Sequence, residues 1–125
     1  MATNKTTPLS ITDQVKTFAD IERISGKQII RREDETDDEL AYRQVKLIAE
    51  VYNEGEVLNP LDTDQWKYFP WFIISKKSGF GLSYGDVGNW YACTDVGSRL
   101  CFKSEELAED AGNKFIEIYT QLLIK

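Results

Sequence analysis

The sequence predicts an α+β fold: a two-layer domain in which a three- to four-stranded antiparallel meander is covered on one face by two N-terminal helices and one C-terminal helix. Three observations lead there. Apolar residues recur at three-and-four spacing over residues 10–26, 38–55 and 104–125. From Trp66 to Lys103 the pattern turns extended, with β-branched and aromatic residues between turn signals. Helices grouped at the two ends of a strand-rich middle imply segregated layers rather than alternation. Residues 1–9 form a polar, flexible leader containing Pro8, and residues 10–125 form a single domain, long enough to bury a core without staples.

The first element, SITDQVKTFADIERISG, carries Ile11, Val15, Phe18, Ile21 and Ile24 near one helical face, and Gly26 can close it with a left-handed cap. Two starts are open. Ser10 can cap one long helix, the preferred reading, or Thr17 with Asp20 can open a short helix after an extended lead-in. RREDETDDE follows, two arginines ahead of six carboxylates within residues 33–39. Such a run suits the positive end of a helix dipole, and Thr36 with Glu39 has capping-box spacing. It lacks the mid-loop glycine of a calcium loop. The helix it introduces, DELAYRQVKLIAEVYNEG, places Leu40, Ala41, Val45, Ile48, Val51 and Tyr52 on one stripe and stops at Gly55. Residues 56–65, EVLNPLDTDQ, are a loop marked by Asn59-Pro60, with Asp62 and Asp64 as a D-x-D pair of the kind that touches a divalent ion or simply shapes a turn.

WKYFPWF, at 66–72, puts five rings into seven positions. Phe69 and Phe72 are expected inside, Trp66 and Trp71 partly exposed. WFIIS then reads as a strand, KKSG as a turn, FGLSY as a strand, GDVGN as a turn, WYACT as a strand, DVGS as a turn and RLCFK as the last strand. In that last strand Leu100 and Phe102 share the covered face, while Arg99, Cys101 and Lys103 share the open one with Gly81 and Ser83. The glycines of GFGLSYGDVG precede a strand rather than a helix, so they are hairpin chemistry and not a dinucleotide fingerprint. Ser104 caps the final helix, in which Leu107, Ala111, Phe115, Ile118 and Leu122 recur on one side.

The chain has no histidine and two cysteines. That excludes imidazole-based nucleophilic catalysis, and two cysteines alone cannot complete the usual four-ligand zinc site within one chain. Any enzyme here would have to rely on carboxylates such as Glu54, Asp62 and Asp64, and the expectation is that the protein is not an enzyme and needs no cofactor or metal. Cys93 and Cys101 face each other only if the intervening loop has three residues centred on Gly97; free thiols are expected. No apolar run approaches the roughly 20 residues of a membrane span, and MATNKTTP lacks a signal pattern, so a cytoplasmic protein is expected.

Charge is divided unevenly. Residues 66–103 hold five basic and two acidic side chains, whereas the remainder holds ten and nineteen; the same segment has ten of the fifteen aromatic residues. Rings beside cations suit base stacking and phosphate neutralisation. The candidate ligand-binding residues are therefore Trp66, Trp71, Lys76, Trp90, Tyr91, Arg99 and Lys103, for a nucleotide-like small molecule or single-stranded nucleic acid. The alternative is a structural or protein-interaction module using the acidic patch from Glu33 to Glu39 on a basic surface. A homo-oligomer fits either, because a two-fold partner can bury an aromatic meander.

ITDQVKTFAD, KLIAEVYNEG, WKYFPWF and VGSRLCFKSEELAEDAG, in that order over nearly the whole chain, resemble a family of small proteins encoded by phages and mobile elements of anaerobic gut bacteria. The family shows I(T)D-x-(I/V)KTF-x-D, KLIAEALNEG, YKYYPWF and VGSRLCFKS-x-ELAEYAG. The chain departs from it in the charged RREDETDDE and in Asp110, where the family has an aromatic residue. The resemblance implies a viral or mobile-element origin and no chemistry. An accessory protein working in the host cytoplasm against host defence is then expected, with a virion component or an inhibitor of a host protein as the alternatives.

Overall fold

The computed structural model describes residues 9–62, 64–75, 81–90 and 98–124, and for Trp71, residues 73–75, 81–90 and Ser98 the backbone alone. The expected leader lies almost wholly outside these residues.

The N-terminal segment forms two helices, not one. Ser10 Oγ accepts from Asp13 N–H at 3.3 Å and starts α1 (Ile11–Gln14), which ends where Val15 turns extended. Then α2 (Phe18–Ser25) opens: Asp20 Oδ2 accepts the N–H groups of Lys16 at 2.8 Å and Thr17 at 3.2 Å. Those amides would have continued the first helix. Both starts considered from the sequence are used, and a helix near the C-terminus, α4 (Glu105–Lys114), holds the break open: Lys114 Nζ donates to the carbonyls of Thr12 and Val15, each at 2.7 Å. Tertiary contact thus outweighs the local tendency to continue. Gly26, at φ 74°, closes α2 as its left-handed position requires.

The helix α3 (Asp37–Tyr52) forms as its sequence predicts. Glu39 Oε1 accepts from Thr36 N–H at 2.8 Å and Thr36 Oγ1 accepts from Glu39 N–H at 3.4 Å, the reciprocal box. Ala41, Val45, Ile48, Val51 and Tyr52 are buried along one stripe, joined by Leu47 and Ala49. Past Asn53 the chain turns through two left-handed residues, Glu54 at φ 54° and Gly55 at φ 81°.

The expected three- to four-stranded meander does not form. Among the described residues helices dominate, and the extended part is one antiparallel pair, β1 (Lys67–Ser75) with β2 (Gly81–Trp90). GDVGN, expected as a turn, runs inside β2; the register steps from Trp71 opposite Asp86 to Phe72 opposite Tyr84, which leaves Gly85 as the extra residue of a bulge. Pro70 is tolerated within β1 by parity. Tyr68 exchanges hydrogen bonds with Phe102 on the side away from β2, and position 70 faces that same side, so its missing N–H costs the pair nothing.

RLCFK, expected as the last strand, contributes a single bridge. Ser98–Leu100 is a 3-10 turn, and only Phe102 pairs, giving its N–H to Tyr68 O at 2.7 Å and accepting from Tyr68 N–H at 3.1 Å. The flanking groups are taken by a side chain. Asn53 Nδ2 donates to Cys101 O at 3.0 Å and Asn53 Oδ1 accepts from Lys103 N–H at 2.9 Å, so the amide at the end of α3 stands where a further strand would pair. WYACT lies beyond Trp90, outside the described residues.

The C-terminal helix is also broken. Ser104 caps α4 (Glu105–Lys114), Phe115 leaves helical geometry at ψ 31°, and α5 (Ile116–Leu123) follows. The break sets Phe115 edge-on to Phe18 and Tyr52, at 6.5 and 6.4 Å between ring centres, and sets Tyr119 against Phe69 at 5.7 Å and Phe72 at 5.0 Å. One core results, with Tyr52, Phe102 and Tyr119 fully buried between α3, β1 and the last two helices. Among the described residues no helix is long and apolar enough to cross a membrane.

Candidate interaction surfaces

The acidic run is half folded in and half presented. Arg43, two turns into α3, reaches back to grip Glu35 with both prongs of its guanidinium, Nε to Oε2 and Nη2 to Oε1, each at 2.6 Å, and Nη2 also donates to Ile30 O at 2.9 Å. Glu35 further accepts from Arg32 N–H at 3.0 Å. The Arg43 hydrogen bonds, then the Arg32 amide, hold the Glu35 carboxyl well below the usual carboxylate range, at about 2. Arg31 completes the frame by donating to Glu35 O at 2.9 Å and pairing with Asp37. Glu33, Asp34 and Asp38 are exposed and make no hydrogen bond or ion pair among the described residues.

These residues border an open cleft of about 760 Å³, lined also by Arg32, Glu39, Tyr42 and, from α5, Leu122. Tyr42 is exposed and Leu122 half-buried. With Glu35 and Arg43 cancelling, the lining keeps four carboxylates against the single guanidinium of Arg32. The cleft is therefore negative, part-apolar and rigid on one wall. Among the described residues no group of three or more His, Cys, Asp or Glu is placed to hold a metal ion.

The aromatic and basic residues expected to bind an anionic ligand are gathered only in part. Trp66 is 41% exposed, and because Lys67 pairs with Trp90, the backbones of Trp66 and Trp90 lie at the same end of the strand pair. The Tyr68–Phe102 bridge brings Lys103 and the turn holding Arg99 to that end. Arg99 is exposed and makes no hydrogen bond or ion pair among the described residues. Lys103, by contrast, is engaged, with Nζ at 3.4 Å from Glu56 and 3.8 Å from Glu54. Trp71 sits in mid-strand opposite Asp86, and Lys76 and Tyr91 lie outside the described residues. Phe69 is buried and Phe72 half-buried, so the WKYFPWF stretch is core at its centre and exposed at Trp66.

Three other candidates resolve as architecture. Asp62 Oδ1 accepts from Asp64 N–H at 2.9 Å, so the D-x-D pair shapes a turn. Cys101, expected on an open face, is fully buried, its thiol pushed up to about 12 by burial; the pairing considered with Cys93 lies outside the described residues. Asp110 accepts from the Tyr52 hydroxyl at 2.7 Å and pairs with Lys114 at 2.9 Å, which gives the residue a structural task. Sequence reasoning missed Arg43 as the clamp on Glu35. Eight residues part them, and only the fold of 30–36 back over α3 joins them. No family model matches the chain, and no match is found among curated proteins or solved structures.

Proposed function

We propose that this is a non-enzymatic accessory protein of phage or mobile-element type that acts in the host cytoplasm by binding the basic surface of a host protein. The observation that carries it is the cleft at the start of α3, where Glu33, Asp34 and Asp38 stand unpaired around Tyr42 and Leu122 while Arg43 and Arg31 hold the segment in place. Uncompensated carboxylates beside an aromatic ring and an aliphatic contact match an arginine-bearing partner, which pairs with the first and stacks on the second. The test is titration of an arginine-rich peptide onto the protein and onto Glu33→Gln, Asp34→Asn, Asp38→Asn combined. The triple variant is expected to bind at least tenfold more weakly, and the wild-type affinity to fall as salt rises; equal affinities sink the reading.

A second reading, an anionic ligand at the Trp66 end of the strand pair, is supported by the exposure of Trp66 and the unpaired guanidinium of Arg99. It has less support because Lys103 is already neutralised by Glu54 and Glu56. Mass spectrometry of the gently purified protein decides it: a stoichiometric nucleotide or oligonucleotide released on heating supports this site, and a clean protein mass removes it. The same spectrum reports whether the protein is a homo-oligomer.

A further inference from the structure

We propose that the loop between α3 and β1 is a preformed docking surface for a basic amphipathic helix of a partner protein. The loop is heavily braced. Asn59 N–H donates to Gln65 Oε1 at 2.7 Å, Leu61 N–H to Asn59 Oδ1 at 2.9 Å and Asp62 N–H to Asn59 O at 3.1 Å. Lys67, 2% exposed, devotes its ammonium group to the carbonyls of Asp62 at 3.1 Å and Gln65 at 3.0 Å, and buried Leu58 pins the loop to the core. Yet this fixed segment holds Val57 at 86% and Leu61 at 87% exposure, with Trp66 at its end.

Single exposed aliphatic residues are ordinary. Two on a loop already ordered by a buried lysine are apolar surface that a partner covers without the entropic cost of ordering the loop. Charge selects the occupant. Glu54, Glu56, Asp62 and Asp64 are all exposed on the same stretch, with Lys103 as the cation reaching Glu54 and Glu56. A helix with an aliphatic stripe flanked by Lys and Arg meets both features, the stripe on Val57 and Leu61 and the cations on the carboxylates. This surface goes beyond the cleft. It follows the C-terminal end of α3, a helix of 16 residues and so about 24 Å long, whereas the cleft lies at the N-terminal end.

The probe is a synthetic Leu/Lys peptide patterned as an amphipathic helix, with a scrambled peptide of the same composition, titrated onto the full chain by calorimetry and methyl NMR. Saturable one-to-one binding is expected, with shifts at the Val57 and Leu61 methyls and at least tenfold weaker binding of the scramble. The variant Val57→Ser, Leu61→Ser is also expected to lose at least tenfold while its thermal midpoint stays unchanged, since both side chains are in water. Equal affinity for the scramble, equal affinity of the double variant, shifts confined to Tyr42 and Leu122, or no binding at all overturns the proposal.

Discussion

Replacing Asn53 by alanine removes the one side chain that stands in for a neighbouring strand. Asn53 is 4% exposed, and its amide serves two backbone groups, Cys101 O at 3.0 Å and Lys103 N–H at 2.9 Å. Alanine leaves both without partners in a site too enclosed for easy hydration. A stranded buried polar group costs about 1–3 kcal/mol, so two cost about 2–6 kcal/mol, with the lower half favoured because Lys103 is only half-buried. A loss of about 3 kcal/mol is a large part of the roughly 5–15 kcal/mol that holds a domain together. With a urea slope of about 2 kcal/mol per molar, the unfolding midpoint falls by about 1.5 M. Asn53→Asp does not rescue it, because the carboxylate keeps an acceptor for Lys103 N–H but turns an oxygen on the Cys101 carbonyl. Amide exchange at Phe102, whose N–H is bonded to Tyr68, should accelerate in both variants. A midpoint within about 0.3 M of wild type refutes the view that Asn53 closes this edge.

Three further outcomes are expected. Glu35 has a folded pKa of about 2 against an ordinary 4.5, so its contribution is complete above pH 4.5 and is lost as pH falls toward 2; Glu35→Gln should flatten the fall in urea midpoint between pH 7 and pH 3, and an unchanged slope counts against the Arg43 clamp. The Tyr119 hydroxyl is fully buried with no hydrogen-bond partner among the described residues, so Tyr119→Phe should leave stability equal or raise it by about 1 kcal/mol, and a loss in thermal midpoint shows an overlooked partner. Lys114→Met keeps the apolar stem but strands the Thr12 and Val15 carbonyls; about 1–3 kcal/mol should go, and limited proteolysis should move to residues 9–17.

What could be read from the sequence was whatever is governed by near neighbours. The Thr36–Glu39 box, the α3 stripe, the Gly26 cap and the Ser104 cap each depend on residues within a few positions, and each stands where its pattern puts it. The failures have distant causes. Gly85 and Gly88 look like turn residues, but pairing with β1 absorbs both, Gly85 in a bulge and Gly88 in register opposite Phe69. RLCFK has strand composition, yet an amide 48 residues earlier in the chain takes the place of its neighbour. The first helix breaks because a lysine from α4 accepts the burden of its free carbonyls. Of the cleft, the acidity was visible in the residues; its geometry depends on the back-reach of Arg43.

The Lys114 hook also has a consequence in time. Its ammonium group lies 99 residues further along the chain than the Val15 carbonyl it engages. At a synthesis rate of roughly 5–20 residues per second, the N-terminal turn waits about 5–20 s for the group that fastens it. Through that interval Ile11 and Val15, both buried in the finished protein, lack the fastening that Lys114 provides. The opening segment is thus fastened late, and a nascent chain halted before α4 would leave it without that fastening, open to chaperones and proteases alike.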